Sequence, residues 1–230
     1  VVMSTSTRPD IAVVVLMEYR TGLHLLWGWG RFLFGRFALQ RWPGLRFAKV
    51  MGSGHEGGFG LRPSFSRQGL FCVFAGHEAA DAFLASDWLR QTEPHLRSWR
   101  WLKLEAYASR GRWSGHEIRA SAAPPVDEPV VSLTRASIRW SQTRRFWRMA
   151  PPAEAALAQA TGCSLSVGLG EAPVLRQATL SVWDSVAAMN AYAHSGAHAQ
   201  AIRTAYSDRH FSESMFVRWR LLGQGGHHAC

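Results

Sequence analysis

The feature that most constrains this chain is that it spells one order of elements twice. In the first half, the apolar, β-branched run IAVVVLMEY (Ile11–Tyr19) reads as a central strand. An aromatic segment follows to about Trp42 and is closed by Pro43-Gly44, a stop signal. LRFAKVMGSG (Leu45–Gly54) reads as a strand entering a glycine-rich loop, LFCVFA (70–75) as a third strand, HEAADAFLASDWLRQ (77–91) as a helix and WLKLEAYA (101–108) as a fourth strand. The second half repeats the order: a strand over 130–140, helical material within 141–160, strands over 163–171 and 178–185, a helical run over 186–206 and a closing strand over 215–223. The parallel extends to detail. FCVFAGHEAADAFLASDWL (71–89) and LSVWDSVAAMNAYAHSGAH (180–198) share strand, aromatic, turn and Ala-rich helix, with an aromatic at Phe83 or Tyr192. Each half also places a glycine-rich turn after its second strand, at Gly52-Ser53-Gly54 and Gly168-Leu169-Gly170.

Two βαββαβ units predict an α+β fold of duplicated ferredoxin-like units, their antiparallel sheets packed face to face in a dimeric-α+β-barrel-type fold. Residues 1–122 form the first half and 130–223 the second. APPVDEP (123–129), with three prolines and two acids, suits an extended linker.

The places where the halves differ are candidates for chemistry. Laying Phe74 on Trp183 brings His198 opposite Leu89, and a fold unit needs the apolar residue there rather than an imidazole. His194 lies four residues earlier, on the same face of an unbroken helix, and Gly196 between them weakens the helix. The stretch H-S-G-A-H lacks the glutamate of HExxH and has no carboxylate nearby, which argues against zinc. A single helical histidine can instead offer a neutral imidazole lone pair to heme iron; the other reading is a histidine satisfied by water or backbone. Arg135 shares a strand face with Leu133 and Ser137, and an inward arginine requires an anion; otherwise it faces solvent. Arg62, after the glycine-rich loop and beside Pro63, is a second cationic candidate. Gly52, Gly54, Gly57 and Gly58 would let the backbone approach a ligand closely, and the loop lacks the GKS/T ending of a P-loop. Phe59, Phe146, Trp147 and Trp183 are candidates to line an apolar pocket or to serve as core, the core reading being favoured for Trp183.

The net charge of +10 favours anionic partners: nucleic acid, an anionic membrane surface or an acidic redox protein. The arginines are scattered, RRFWR (144–148) being the densest cluster, and no nucleic-acid-reading motif accompanies them, so nucleic acid is not expected. Eleven tryptophans suit either a large apolar ligand or an aromatic-rich core. Three cysteines without CxxC spacing argue against a disulfide framework and fit a reducing cytoplasm. VVMSTSTRPD does not read as a secretory signal. The most apolar stretch, LHLLWGWGRFLFGRFAL (Leu23–Leu39), is broken by Arg31 and Arg36 and is too short and charged to span a bilayer. It could pack on a sheet, or lie in a membrane interface with its rings inserted, a peripheral contact.

Six separated blocks carry a family resemblance: MGSGHEGGF (51–59), LRPSF (61–65), LTRASI (133–138), RRFW (144–147), VGLGEAPVLRQATLSVW (167–183) and HAQAIR (198–203). Together they resemble the spheroidene monooxygenase family of carotenoid ketolases, over about 11–222 and most densely after Leu133. The resemblance implies a heme b monooxygenase that uses O2 and an external electron donor, such as ferredoxin, to place a keto group on a hydrophobic acyclic polyene. It implies His198, in HAQAIR, as the axial ligand, with His194 the runner-up. Arg135 or Arg203 would pair with the heme propionates, and Arg135 and Arg62 are the catalytic candidates. Two other readings stay open: a heme-dependent dehydratase or lyase acting on an N–O substrate, and a non-enzymatic heme or lipid carrier.

Overall fold

The computed structural model describes residues 8–54, 63–121, 123–144, 147–148, 155–157, 159–172, 175–194 and 211–227. The first half runs β1 (Ile11–Tyr19), α1 (Leu23–Leu39), β2 (Leu45–Gly54), β3 (Pro63–Phe74), α2 (His77–Leu84), α3 (Asp87–Thr92) and β4 (Leu96–Gly111). The second runs β5 (Val130–Ile138), β6 (Cys163–Ala172), β7 (Arg176–Trp183), α4 (Val186–His194) and β8 (Phe211–His227). The eight strands close into one barrel in the order β1-β3-β2-β6-β7-β5-β8-β4.

That order is the duplication made visible. Each half contributes four antiparallel strands in the ferredoxin-like arrangement, β4-β1-β3-β2 and β8-β5-β7-β6. Instead of packing face to face, the two sheets join at both edges, by a long β4–β8 ladder at one and by the Gly52–Gly170 and Ser53–Leu169 pairs between β2 and β6 at the other. The ladder registers match the halves residue by residue. Ile11 pairs with Phe74 and Glu105, as Val130 pairs with Trp183 and Arg220. At one seam Gly52 pairs with Gly170, and at the other Glu105 pairs with Arg220. These are matching positions in the two halves facing each other, so a pseudo-twofold axis crosses the barrel there.

Each strand buries alternate side chains inward and outward. Val14, Leu104, Leu133, Leu180 and Val217 meet inside the barrel, around Phe71, Trp113 and Trp219. Phe71 stacks on Trp113 with ring centroids 5.3 Å apart. The outward residues Val13, Val15, Leu70, Cys72 and Phe74 form a second core under the helices of the first half. This accounts for the uninterrupted apolar run of β1: both its faces are buried.

Two boundaries differ from the sequence reading. The helix expected over 77–91 is broken at Ala85–Ser86, where the Leu89 amide donates to Ser86 Oγ (3.4 Å) and starts α3. β4 and β8 extend beyond 101–108 and 215–223 because they pair with each other from Trp99–His227 to Gly111–Met215, a tertiary ladder invisible to local patterning.

Candidate functional site

The barrel interior is closed at one end by ionised side chains. Arg135, on the inward face of β5 and 2% exposed, pairs with Glu213 of β8 and with Glu171 of β6 (3.3 Å). Glu171 also accepts from Trp113 Nε1 (2.5 Å) and pairs with Lys49 (2.8 Å). Glu213 accepts from the backbone amides of Ser114 and Gly115, each at 3.1 Å. Burial acts to raise the Glu213 carboxyl, but those two amides and the Arg135 guanidinium outweigh it and hold the group below its ordinary range. An inward arginine does have its anion here, and the chain supplies it as two glutamates. Arg135, expected to pair with a propionate, pairs in this structure with internal carboxylates.

The pseudo-twofold places Leu16, Ser53 and Ser98 opposite Arg135, Glu171 and Glu213 at the other end of the barrel. Those three positions carry no charge, and the ion pair at this end is Glu18–Arg67 (3.3 Å), with Ser98 Oγ donating to Glu18. A cavity of about 310 Å³ lies there, with Leu16, Leu165, Val167 and Leu169 lining it and Glu18, Arg67 and Arg100 also on its wall.

The outer faces of the two sheets differ more sharply, and the ladder registers allow a row-by-row comparison. One row of the first sheet reads Val13, Cys72, Ala48; the matching row of the second reads Ser132, Ser181, Ser166. The next reads Val15, Leu70, Val50 against Thr134, Thr179, Gly168. The third reads Met17, Gln68, Gly52 against Ala136, Gln177, Gly170. Bulky apolar groups that seat α1 in the first half are thus replaced by hydroxyls, Ala and Gly in the second. Ser132 and Ser181 share a hydrogen bond (2.8 Å), and Trp183 Nε1 donates to Ser181 Oγ (2.9 Å). The second sheet thus has a floor of small residues beside α4.

At the base of α4, Met189 and Tyr192 pack on Trp183, with the Trp183 and Tyr192 rings 5.2 Å apart. Burial, with Cys163 nearby, pushes the Tyr192 hydroxyl up to about 12, so it stays protonated. Asn190 Oδ1 is buried without a hydrogen-bond partner among the described residues. His194, exposed at the end of α4, has Nδ1 2.7 Å from the Asn190 carbonyl. A carbonyl only accepts, so Nδ1 is the donor in this contact.

The chain is 52% identical to a spheroidene monooxygenase of Rubrivivax gelatinosus, over 96% of this chain and 86% of that protein. A spheroidene monooxygenase of Rhodobacter capsulatus is 30% identical over 94% of this chain and 92% of its own length. The chain belongs to the spheroidene monooxygenase family. It is accordingly an enzyme, a monooxygenase. No family-level sequence model matches it. Among solved structures, a crystal structure of aldoxime dehydratase superposes with a TM-score of 0.64 at 10% identity, over 95% of this chain and 83% of that one, a likeness of fold.

Of the candidate site positions, His198, Arg203, Arg62, Phe59 and Phe146 lie outside the described residues. Gly52 sits at the seam, where a Cβ would meet nothing within 4 Å, and Gly54 pairs with Pro63. The i,i+4 relation drawn between His194 and His198 assumed an unbroken helix. In the first half the matching residues are Ala85, which caps α2, and Leu89 in α3; His198 itself lies outside the described residues. Trp147 is half-buried, and Trp183 is a core residue. Sequence reasoning missed Glu171 and Glu213 and the small residues of the second sheet. Among the described residues there is no cluster of three His, Cys, Asp or Glu able to hold a metal ion, and no helix long and apolar enough to cross a membrane.

Proposed function

We propose that this chain inserts oxygen from O2 into a hydrophobic, carotenoid-like polyene, and that its heme b lies on the small-residue outer face of the second sheet. Kinship at 52% identity supports the reaction class, and the row-by-row replacement of Val13, Val15, Leu70 and Met17 by Ser132, Thr134, Thr179 and Ala136 supports the location. A floor without bulky side chains leaves room for a macrocycle. Bound there, a histidine-ligated heme supplies the O2-activating chemistry.

The chain's own residues hold and orient. His198 would be the leading residue to hold the heme iron, with His194, whose Nδ1 contacts the Asn190 carbonyl, the runner-up. Arg203 would be the cation for the propionates. Phe59, Phe146 and Trp147 would supply apolar contacts to the polyene, and Arg62 is a further catalytic candidate. An external donor such as ferredoxin supplies the electrons.

The test is the absorption spectrum of the purified full-length chain, with and without CO. A Soret band is expected in the wild type, lost or shifted in His198→Ala and kept in His194→Ala. The double substitution Ala136→Met/Thr179→Leu, which restores first-half residues to the floor, should lower heme occupancy while far-UV circular dichroism is unchanged. No Soret band after reconstitution would refute the heme reading; full occupancy in the refilled variant would move the heme elsewhere. Turnover that needs both O2 and reductant distinguishes the monooxygenase from a dehydratase on an N–O substrate, and bound heme without either activity points to a carrier.

A further inference from the structure

Helix α1 packs one side on the first sheet and presents the other to solvent. On the sheet side Gly28 and Leu39 are buried, and Gln68 Nε2 donates to the Gly28 carbonyl (3.2 Å). A Cβ at Gly28 would stand 2.8 Å from the Tyr19 ring, so glycine is what lets the helix approach the sheet this closely. On the opposite side Leu23, Leu26, Leu33, Phe34 and Phe37 are between 53% and 81% exposed. At about 100° per residue these five fall within an arc of roughly 100°, along a helix about 25 Å long. Phe65 of β3, 66% exposed, extends the patch, its ring 6.3 Å from Trp29. Single exposed apolar residues need no explanation, but a continuous stripe does.

The charge around the stripe identifies its partner. Between Glu18 and Glu56 the chain has no acidic residue, while it carries Arg20, Arg31, Arg36, Arg41, Arg46 and Lys49. Arg46 is paired with Asp10 and Lys49 with Glu171, but Arg20 and Arg41, flanking the two ends of α1, are exposed. A second copy of the chain would set this acid-free segment against its own like. A protein partner would need a groove for a convex, ring-studded helix. An anionic bilayer accepts both features at once: rings enter the acyl boundary and arginines meet headgroups.

We infer that α1 is a membrane-docking helix that lies flat in the interface of an anionic bilayer through Leu23, Leu26, Leu33, Phe34, Phe37 and Phe65. This goes beyond the proposed reaction, and its test needs no turnover. The full-length chain is sedimented with vesicles of phosphatidylcholine alone or of phosphatidylcholine containing phosphatidylglycerol. Binding is expected to the anionic vesicles and to be about tenfold or more weaker in Leu26→Glu/Phe34→Glu, because exposed apolar area drives insertion. Both positions are exposed, so circular dichroism and the melting temperature should match the wild type. The inference is overturned if the wild type ignores anionic vesicles or if the double variant binds as well as the wild type. A wild-type dimer by light scattering that the double variant converts to monomer, without vesicle binding, would assign the stripe to a second copy instead.

Discussion

Replacing Arg135 by leucine tests whether the charged end of the barrel is structural or catalytic. Arg135 is 2% exposed and faces Glu171 and Glu213, which are 10% and 29% exposed. Removing one partner of a buried pair costs about 3–5 kcal/mol, because the remaining charge stays desolvated. Here each carboxylate keeps other partners: Glu171 retains Lys49 and Trp113, and Glu213 retains the Ser114 and Gly115 amides. The lower end of that range applies, about 3 kcal/mol, or a fall in Tm of roughly 6–12 °C for a chain of this size. The acid limb should move as well. A carboxyl depressed in the folded state adds stability that is complete above its ordinary value near 4.5 and is lost as pH falls through the folded value. Without the guanidinium, the folded Glu213 value rises towards the unfolded one, so this contribution shrinks and acid unfolding starts at higher pH. The double variant Arg135→Leu/Glu213→Gln, which removes a charge of each sign, should regain part of the loss. The measurements are urea and thermal unfolding of the full chain between pH 3 and 7, a range bracketing the ordinary carboxylate values. Wild-type stability in Arg135→Leu together with lost turnover would refute the structural reading and return Arg135 to the ligand.

Two further predictions address the frame around the site. His95 Nδ1 lies 3.2 Å from His24 Nδ1, and its ring stacks on Trp27. Burial, then His24 and Arg31, push His95 below its ordinary 6.5, so stability is complete above that value and declines as pH falls below it; His24→Gln should flatten the decline, and an unchanged slope would contradict the coupling. Gly111 has φ +88° and a Cβ there would stand 2.1 Å from the Ser214 carbonyl, so Gly111→Ala should cost at least about 1–3 kcal/mol in urea unfolding, and a neutral effect would show that the β4–β8 seam gives way locally.

What the sequence determined by itself is local and repetitive: the element order, its duplication, and strands such as β1 and β2, whose apolar runs are bounded by turn residues. These follow from side-chain period and turn chemistry, which act within a few residues. The family blocks likewise pointed to the enzyme class without any coordinates. Closure was decided elsewhere. Whether two four-stranded sheets stack or join depends on which edges meet, and the Gly52–Gly170 and Glu105–Arg220 pairs join residues more than 100 positions apart. Arg135 illustrates the same limit: its strand pattern required an anion, but Glu171 and Glu213 reach it only because β6 and β8 converge at one end of the barrel. The small-residue floor was half legible. Laying Phe74 on Trp183 also lays Leu70 on Thr179, but β1 and β5 match at a different offset, because the loops between them differ in length. Only the hydrogen-bonded register brings Ser132, Thr134 and Ala136 into the same rows, and pairing register is a property of the closed barrel rather than of any one segment.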